Sequence, residues 1–150
     1  MKKNMSDFSY EVLNLMPHLL RGMVRKHKDD LTEGLLTLPQ FLALDLIDRE
    51  EGMKMKDIAQ QLNISLPAAT GMMDRLYHYG MIKREADTND RRIVKIVLTD
   101  KGRKTLNNTR DARRKAIEDV FGKLSQKERE EYLNILRKIK KILYGKKENL

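Results

Sequence analysis

Apolar residues recur at helical spacing near the start of the chain, where Phe8, Val12, Leu15, Met16, Leu19, Leu20, Met23 and Val24 mark one face of a helix from about Asp7 to Lys28. Pro17 lies inside that span, and its ring and missing amide predict a bend there rather than a smooth rod. Thr37-Leu38-Pro39-Gln40 has the form of a capping box, the hydroxyl set to accept an early amide and Gln40 to reach back. A second helix therefore starts there, turns Phe41, Leu44 and Ile47 inward and stops at Gly52. A short helix from about Lys54 to Leu62 buries Met55, Ile58, Ala59 and Leu62. Asn63 and Ile64 form a tight turn, and Ser65 caps the helix that runs from Leu66 to Tyr79. Two short helices so joined make a helix-turn-helix.

Beyond Gly80 the period changes from helical to alternating. Ile82 to Ala86 and the β-branched stretch Ile93 to Leu98 read as strands, and Asp87-Thr88-Asn89-Asp90-Arg91-Arg92 between them is polar throughout. That is a hairpin with a basic tip, the shape of a wing. Thr99 caps a long helix from Asp100 to about Lys123, and Ser125-Gln126-Lys127-Glu128 is a second capping box opening the last helix. There Tyr132, Ile135, Leu136, Ile139, Ile142 and Leu143 form an apolar stripe suited to packing on another helix. No repeat or low-complexity segment interrupts the pattern, and Lys146 to Leu150 should fray. The fold class expected is mainly α with a small β-hairpin wing: one winged helix-turn-helix domain over 1–150, with a lobe at 37–99 and long helices at 1–36 and 100–150.

Charge adds a partner to this picture. The 150 residues carry 31 Lys and Arg against 22 Asp and Glu, a formal net charge of +9, which draws polyanions. The helix from Leu66 divides into two faces at about 100° per residue. Ala69, Met72, Met73 and Leu76 face a core, with Leu66 and Tyr79 at its margins; Pro67, Gly71, Asp74 and His78 face outward, flanked by Thr70 and Arg75. Small outward residues, Pro67, Ala68 and Gly71, would let this helix approach the floor of a DNA major groove. Ser65 and Thr70 could then donate to phosphates or base edges, Arg75 to phosphate, and first-turn amides to a phosphate oxygen. The bland alternative is a surface helix with a solvated face. At the wing tip Arg91 and Arg92 serve no core, and an extended Arg suits the negative potential of a narrow minor groove. Asp90 would repel phosphates there unless it holds an Arg in place.

The wing segment 87–92, followed by Ile96, Leu98, Thr99 and Gly102, resembles the signature of the MarR (multiple-antibiotic-resistance regulator) family, an Asp-basic-Arg tip leading into Leu-Thr-x-x-Gly. Leu38-Pro39-Gln40-Phe41, Leu62, Ser65, Thr70, Asp74-Arg75-Leu76, Gly80, Ile82 and Arg84 match that family's helix-turn-helix pattern in order and spacing. With no apolar run near a membrane span and an N-terminus unlike a secretory signal, a soluble, cytoplasmic protein is expected; the resemblance implies a transcriptional regulator, a ligand-responsive repressor that binds a pseudo-palindromic double-stranded operator as a homodimer through its terminal helices. It implies that Arg92 reaches the minor groove, that Asp90 orients it and that Ser65 and Thr70 make recognition-helix contacts. It also implies a small-molecule effector, often an anionic aromatic one. The chain departs from the pattern at Gly71, where many members carry Arg or another polar residue, so operator preference does not transfer. The amphipathic ends point independently to a dimer, since two copies would cover the stripes that one leaves open.

Other chemistries find little support. The chain has no Cys, hence no disulfide, thiolate site or thiol switch. His18, His27 and His78 lack ligand spacing and read as surface or structural residues, and the nine Met as core filler. Gly-x-Ser-x-Gly, Gly-x-x-x-x-Gly-Lys and metal triads are absent, so neither an enzyme nor a cofactor is expected. No apolar run approaches a membrane span, and no secretory signal opens the chain. The alternative reading is a winged-helix interaction module or a nonspecific architectural DNA binder.

Overall fold

The computed structural model describes residues 4–26 and 36–145, the side chains of 23–26 excepted. In chain order the elements are α1 (Met5–Lys26), α2 (Leu38–Arg49), α3 (Met55–Gln61), α4 (Leu66–His78), β1 (Ile82–Ala86), β2 (Val94–Leu98), α5 (Asp100–Phe121) and α6 (Gln126–Tyr144). This is the mainly α, winged helix-turn-helix architecture expected. The chain divides into two compact units, one of residues 28–113 and one of residues 1–27 with 114–150.

In the first unit the core is made of the residues that the periodicities turn inward. Leu44, Ile47, Ile58, Met73, Leu76 and Leu106 are fully buried, joined by Met72, Ile82, Ile96 and Leu98. Each such side chain contributes about 1.5–3 kcal/mol of burial. The helices start and stop where their caps dictate. Gln40 Oε1 accepts from the Thr37 amide at 3.0 Å, opening α2, and Ser65 Oγ accepts from the Ala68 amide at 3.3 Å, opening α4. Asn63, at φ +53°, makes the turn between α3 and α4. Gly52 follows α2 at φ +112°, in space where a β-carbon would sit 2.7 Å from Val97 Cγ1.

β1 and β2 pair antiparallel from Ile82↔Leu98 to Ala86↔Val94. Ile82, Ile96 and Leu98 anchor the hairpin base in the core, while Val94 near the tip is exposed. β2 begins one residue later than the sequence pattern suggests, because the Ile93 amide donates to Asp90 O at 2.9 Å and belongs to the turn. Met53 adds a one-residue bridge on the other edge of β2, exchanging hydrogen bonds with Ile96 at 3.0 and 2.7 Å.

The Leu-Thr-x-x-Gly run acquires a physical meaning here. Thr99 Oγ1 accepts from the Gly102 amide at 3.0 Å and donates to Gly80 O at 2.6 Å. A β-carbon on Gly102 would fall 1.9 Å from Met81 O, so only glycine lets α5 begin this close to the loop after α4. Charges then register α5 against α2. Arg103 pairs with Asp48, and Arg110 bonds Asp45 at 2.8 Å and Asp48 at 3.0 Å, both carboxylates being only 13% exposed. Such pairs add little net stability but are costly to break singly, so they select one alignment of the helices.

In the second unit α1 is one helix with Pro17 inside it. Ser125 and Glu128 cap α6 reciprocally, the Ser125 amide donating to Glu128 Oε2 at 2.8 Å. The hydrogen bond from the Ser125 hydroxyl, then that from its amide, hold the Glu128 carboxyl below its ordinary pKa. The rings of Phe121 and Tyr132 meet at 5.1 Å. No residue of α6 is buried; Ile142 is 82% exposed, and Leu15, Leu19 and Leu20 of α1 are likewise open. The expected helix end at Lys28, His27 and the fraying of Lys146 to Leu150 lie outside the described residues. No helix among the described residues is long and apolar enough to cross a membrane.

Candidate nucleic-acid interface

α4 presents the two faces that its sequence predicts. Ala69, Met72, Met73 and Leu76 are buried, and Pro67, Ala68, Asp74, Arg75 and His78 are exposed, with Thr70 and Gly71 between. Pro67 sits in the first turn, where a missing amide costs nothing. Of the first-turn amides expected to face a phosphate, Ala68's already points to Ser65 Oγ, so Leu66's is the one left. The Ser65 hydroxyl uses a lone pair as a cap and keeps its proton to donate outward. Thr70 differs: its Oγ1 donates to Leu66 O at 2.9 Å, so in this rotamer it offers lone pairs rather than the expected proton.

The wing tip is built by two aspartates. Asp87 Oδ1 accepts from the amides of Asn89 and Asp90 at 2.9 and 3.2 Å, and its Oδ2 pairs with Lys95 Nζ at 2.5 Å. The Lys95 hydrogen bond, then the two amides, hold this carboxyl at a pKa of about 2. Asp90 Oδ1 accepts from the Arg92 amide at 3.0 Å and from Arg92 Nε at 3.2 Å. The Arg92 side chain is 92% exposed, so the carboxylate steers a guanidinium whose outer nitrogens face solvent. Arg91 beside it is exposed as well.

One contact ties helix to wing. Arg84 of β1 donates to Asp74 of α4 at 3.1 Å and lies over the Tyr77 ring at 5.9 Å from its centroid. Sequence reasoning singled out neither this pair nor the turn-forming role of Asp87. The signal for Asp87 was present, since Asp followed two residues later by Asn in a polar turn favours a side chain bonding the backbone ahead. The acidic groups of this surface are all neutralised locally: Asp74 by Arg84, Glu85 by Lys83, Asp87 by Lys95 and Asp90 by Arg92. No cluster of potential metal ligands occurs among the described residues.

Comparison with known proteins agrees with this geometry. Residues 36–94 match the MarR family. The HTH-type transcriptional regulator YwhA of Bacillus subtilis is 30% identical over 132 residues, 84% of this chain and 93% of that one. A MarR family protein from Bacillus stearothermophilus superposes with a TM-score of 0.77 at 20% identity, over 94% of this chain and 99% of that one. Staphylococcus aureus MepR, in a structure with ethidium bromide bound, gives a TM-score of 0.65 at 23% identity over 87% and 94% of the two chains. The chain belongs to the MarR family of winged-helix, DNA-binding transcriptional regulators.

Proposed function

We propose that the protein is a ligand-responsive repressor that binds a pseudo-palindromic operator as a homodimer. In this reading α4 enters the major groove: Ser65 and the Leu66 amide contact phosphate, and Pro67, Ala68, Thr70, Gly71 and Arg75 face the bases and the adjoining backbone. Arg92 enters the minor groove, with Asp90 fixing its direction and Arg91 reaching the flanking phosphates. The observation that carries the reading is the Asp90–Arg92 pair. A carboxylate on a DNA-facing tip is unfavourable unless it positions a cation, and here it accepts from both the amide and Nε of Arg92, whose side chain is 92% exposed. The open apolar stripes of α1 and α6 support the homodimer, with residues 1–36 and 100–150 forming its helical region and 37–99 the DNA-binding lobe. Ethidium bound to MepR supports response to an aromatic small molecule.

The test compares a duplex from the protein's own promoter with random duplex over a salt series, by fluorescence anisotropy. A preference of about 10³-fold or more at one salt concentration supports the operator reading, whereas equal affinities leave a nonspecific architectural binder. Light scattering should give a dimer that Ile139→Glu converts to monomer. Transcription from the bound promoter should fall on adding protein.

A further inference from the structure

We infer that Arg75 reads a guanine in the operator, from the space that Gly71 leaves open, and is thus a specificity-determining residue rather than a phosphate anchor. This rests on the proposed docking of α4 in the major groove. Residues four apart lie on one helix face, and a helical side chain leans toward the N-terminus over the preceding turn. Arg75 follows that rule: a β-carbon at position 71 would have Arg75 Nη1 4.0 Å away, with no nearer atom beyond its chain neighbours and the helix's own backbone. The guanidinium therefore covers the patch that a side chain at 71 would occupy, on the face between Pro67 and His78 and away from the buried Met72 and Met73.

Its charge is also uncommitted. Within the 28–113 unit, Arg49, Arg84, Arg92, Arg103 and Arg110 are each tied to a carboxylate, and Arg113 lies over the Phe41 ring at 4.4 Å. Arg75 makes no side-chain hydrogen bond or ion pair among the described residues, so its planar fork of donors is available to a ligand. In the major groove the partner matching that fork is guanine, whose O6 and N7 accept side by side. Helix and base can approach closely at this point because Gly71 interposes no side chain. The arginine one turn further along then supplies the base contact that position 71 lacks.

The experiment selects bound DNA from a pool of randomised duplexes with the full-length wild-type protein and with Arg75→Ala, Arg75→Lys and Gly71→Leu, then sequences it. Circular dichroism and thermal melting verify the fold of each variant. The expected wild-type motif contains one guanine per half-site whose preference vanishes in Arg75→Ala while the other positions stay. On a duplex of that motif Arg75→Ala should bind roughly five- to 150-fold more weakly, and on the same duplex lacking the guanine it should match wild type. Arg75→Lys keeps the charge without the fork and should lose the same preference. Gly71→Leu should lose it with Arg75 still present, because the space is filled. If Arg75→Ala instead weakens all sequences equally, lowers the salt slope by about one and leaves the motif intact, Arg75 is a phosphate contact and the inference falls. If the wild-type protein selects no motif at all, the operator reading fails first and takes this one with it.

Discussion

Replacing Asp90 with Ala separates two accounts of the wing by the sign of the effect. The Asp90 carboxylate accepts from Arg92 N at 3.0 Å and Nε at 3.2 Å, and because the Arg92 side chain is 92% exposed the pair adds at most about 1 kcal/mol to folding. On the proposed reading its value lies in DNA binding. A free Arg carries about 2 kcal/mol of rotamer entropy, and fixing the Nε end removes about half of that before the groove is entered. Loss of the carboxylate should therefore weaken binding by about 1 kcal/mol. Opposing this, a carboxylate about 7 Å from a phosphate in water repels it by about 0.6 kcal/mol, reduced further by salt. The net expectation is binding roughly two- to fivefold weaker for Asp90→Ala, against about 1–3 kcal/mol for Arg92→Ala. In an Arg92→Ala background only the repulsion remains, so adding Asp90→Ala should tighten binding slightly. Anisotropy titrations at fixed ionic strength, with circular dichroism as the folding control, read all four proteins. Tighter binding by Asp90→Ala alone would refute the positioning role.

Three further outcomes follow from single sites. Gly71→Ala places a methyl inside a helix with only an ordinary contact, 4.0 Å from Arg75 Nη1, and should raise stability by about 0.5–1 kcal/mol in urea denaturation; a loss would mean that the glycine serves the backbone. Gly102→Ala drives a methyl onto Met81 O and should cost about 1–3 kcal/mol or more by the same assay, with a neutral result contradicting the close approach. The Asp87 carboxyl is depressed from 3.8 to about 2, so its stabilisation of the wing tip is complete above pH 3.8 and disappears as pH falls through about 2. Carboxyl NMR should give that midpoint, and Asp87→Asn should speed exchange of the Asn89 and Asp90 amides at neutral pH. A midpoint near 3.8 would dissolve the Asp87–Lys95 staple.

What was legible in the sequence is what local chemistry decides. Ser65 caps α4 because its oxygen meets an amide three residues on, and the inward set Ala69, Met72, Met73 and Leu76 follows from one period. β1 runs from Ile82 to Ala86, as the change of period after Gly80 predicts. The pairs that sequence reasoning missed are those that the chain brings together from afar. Arg103 meets Asp48 across 55 residues and Arg110 meets Asp45 across 65, so no window on the sequence contains both partners. The Met53 bridge to Ile96 was hidden for another reason, since one residue has no period. Thr70 was misjudged as a donor because whether a helical hydroxyl turns back on the carbonyl four residues earlier depends on its rotamer.

The site itself was legible as residue types and illegible as a circuit. Asp90 and Arg92 could be paired on paper because they stand two positions apart in one turn. Asp87 and Lys95 face each other only once β1 and β2 adopt their register, and Asp74 and Arg84 only once the hairpin folds back on α4. These contacts tie the wing to α4: Arg84 covers Tyr77 and bonds Asp74, which lies about one turn from Gly71 and beside Arg75 in sequence. In the proposed reading, Arg92 is aimed by Asp90 while Arg75 has no side-chain partner among the described residues, and sequence preference depends on the direction of such side chains more than on their number.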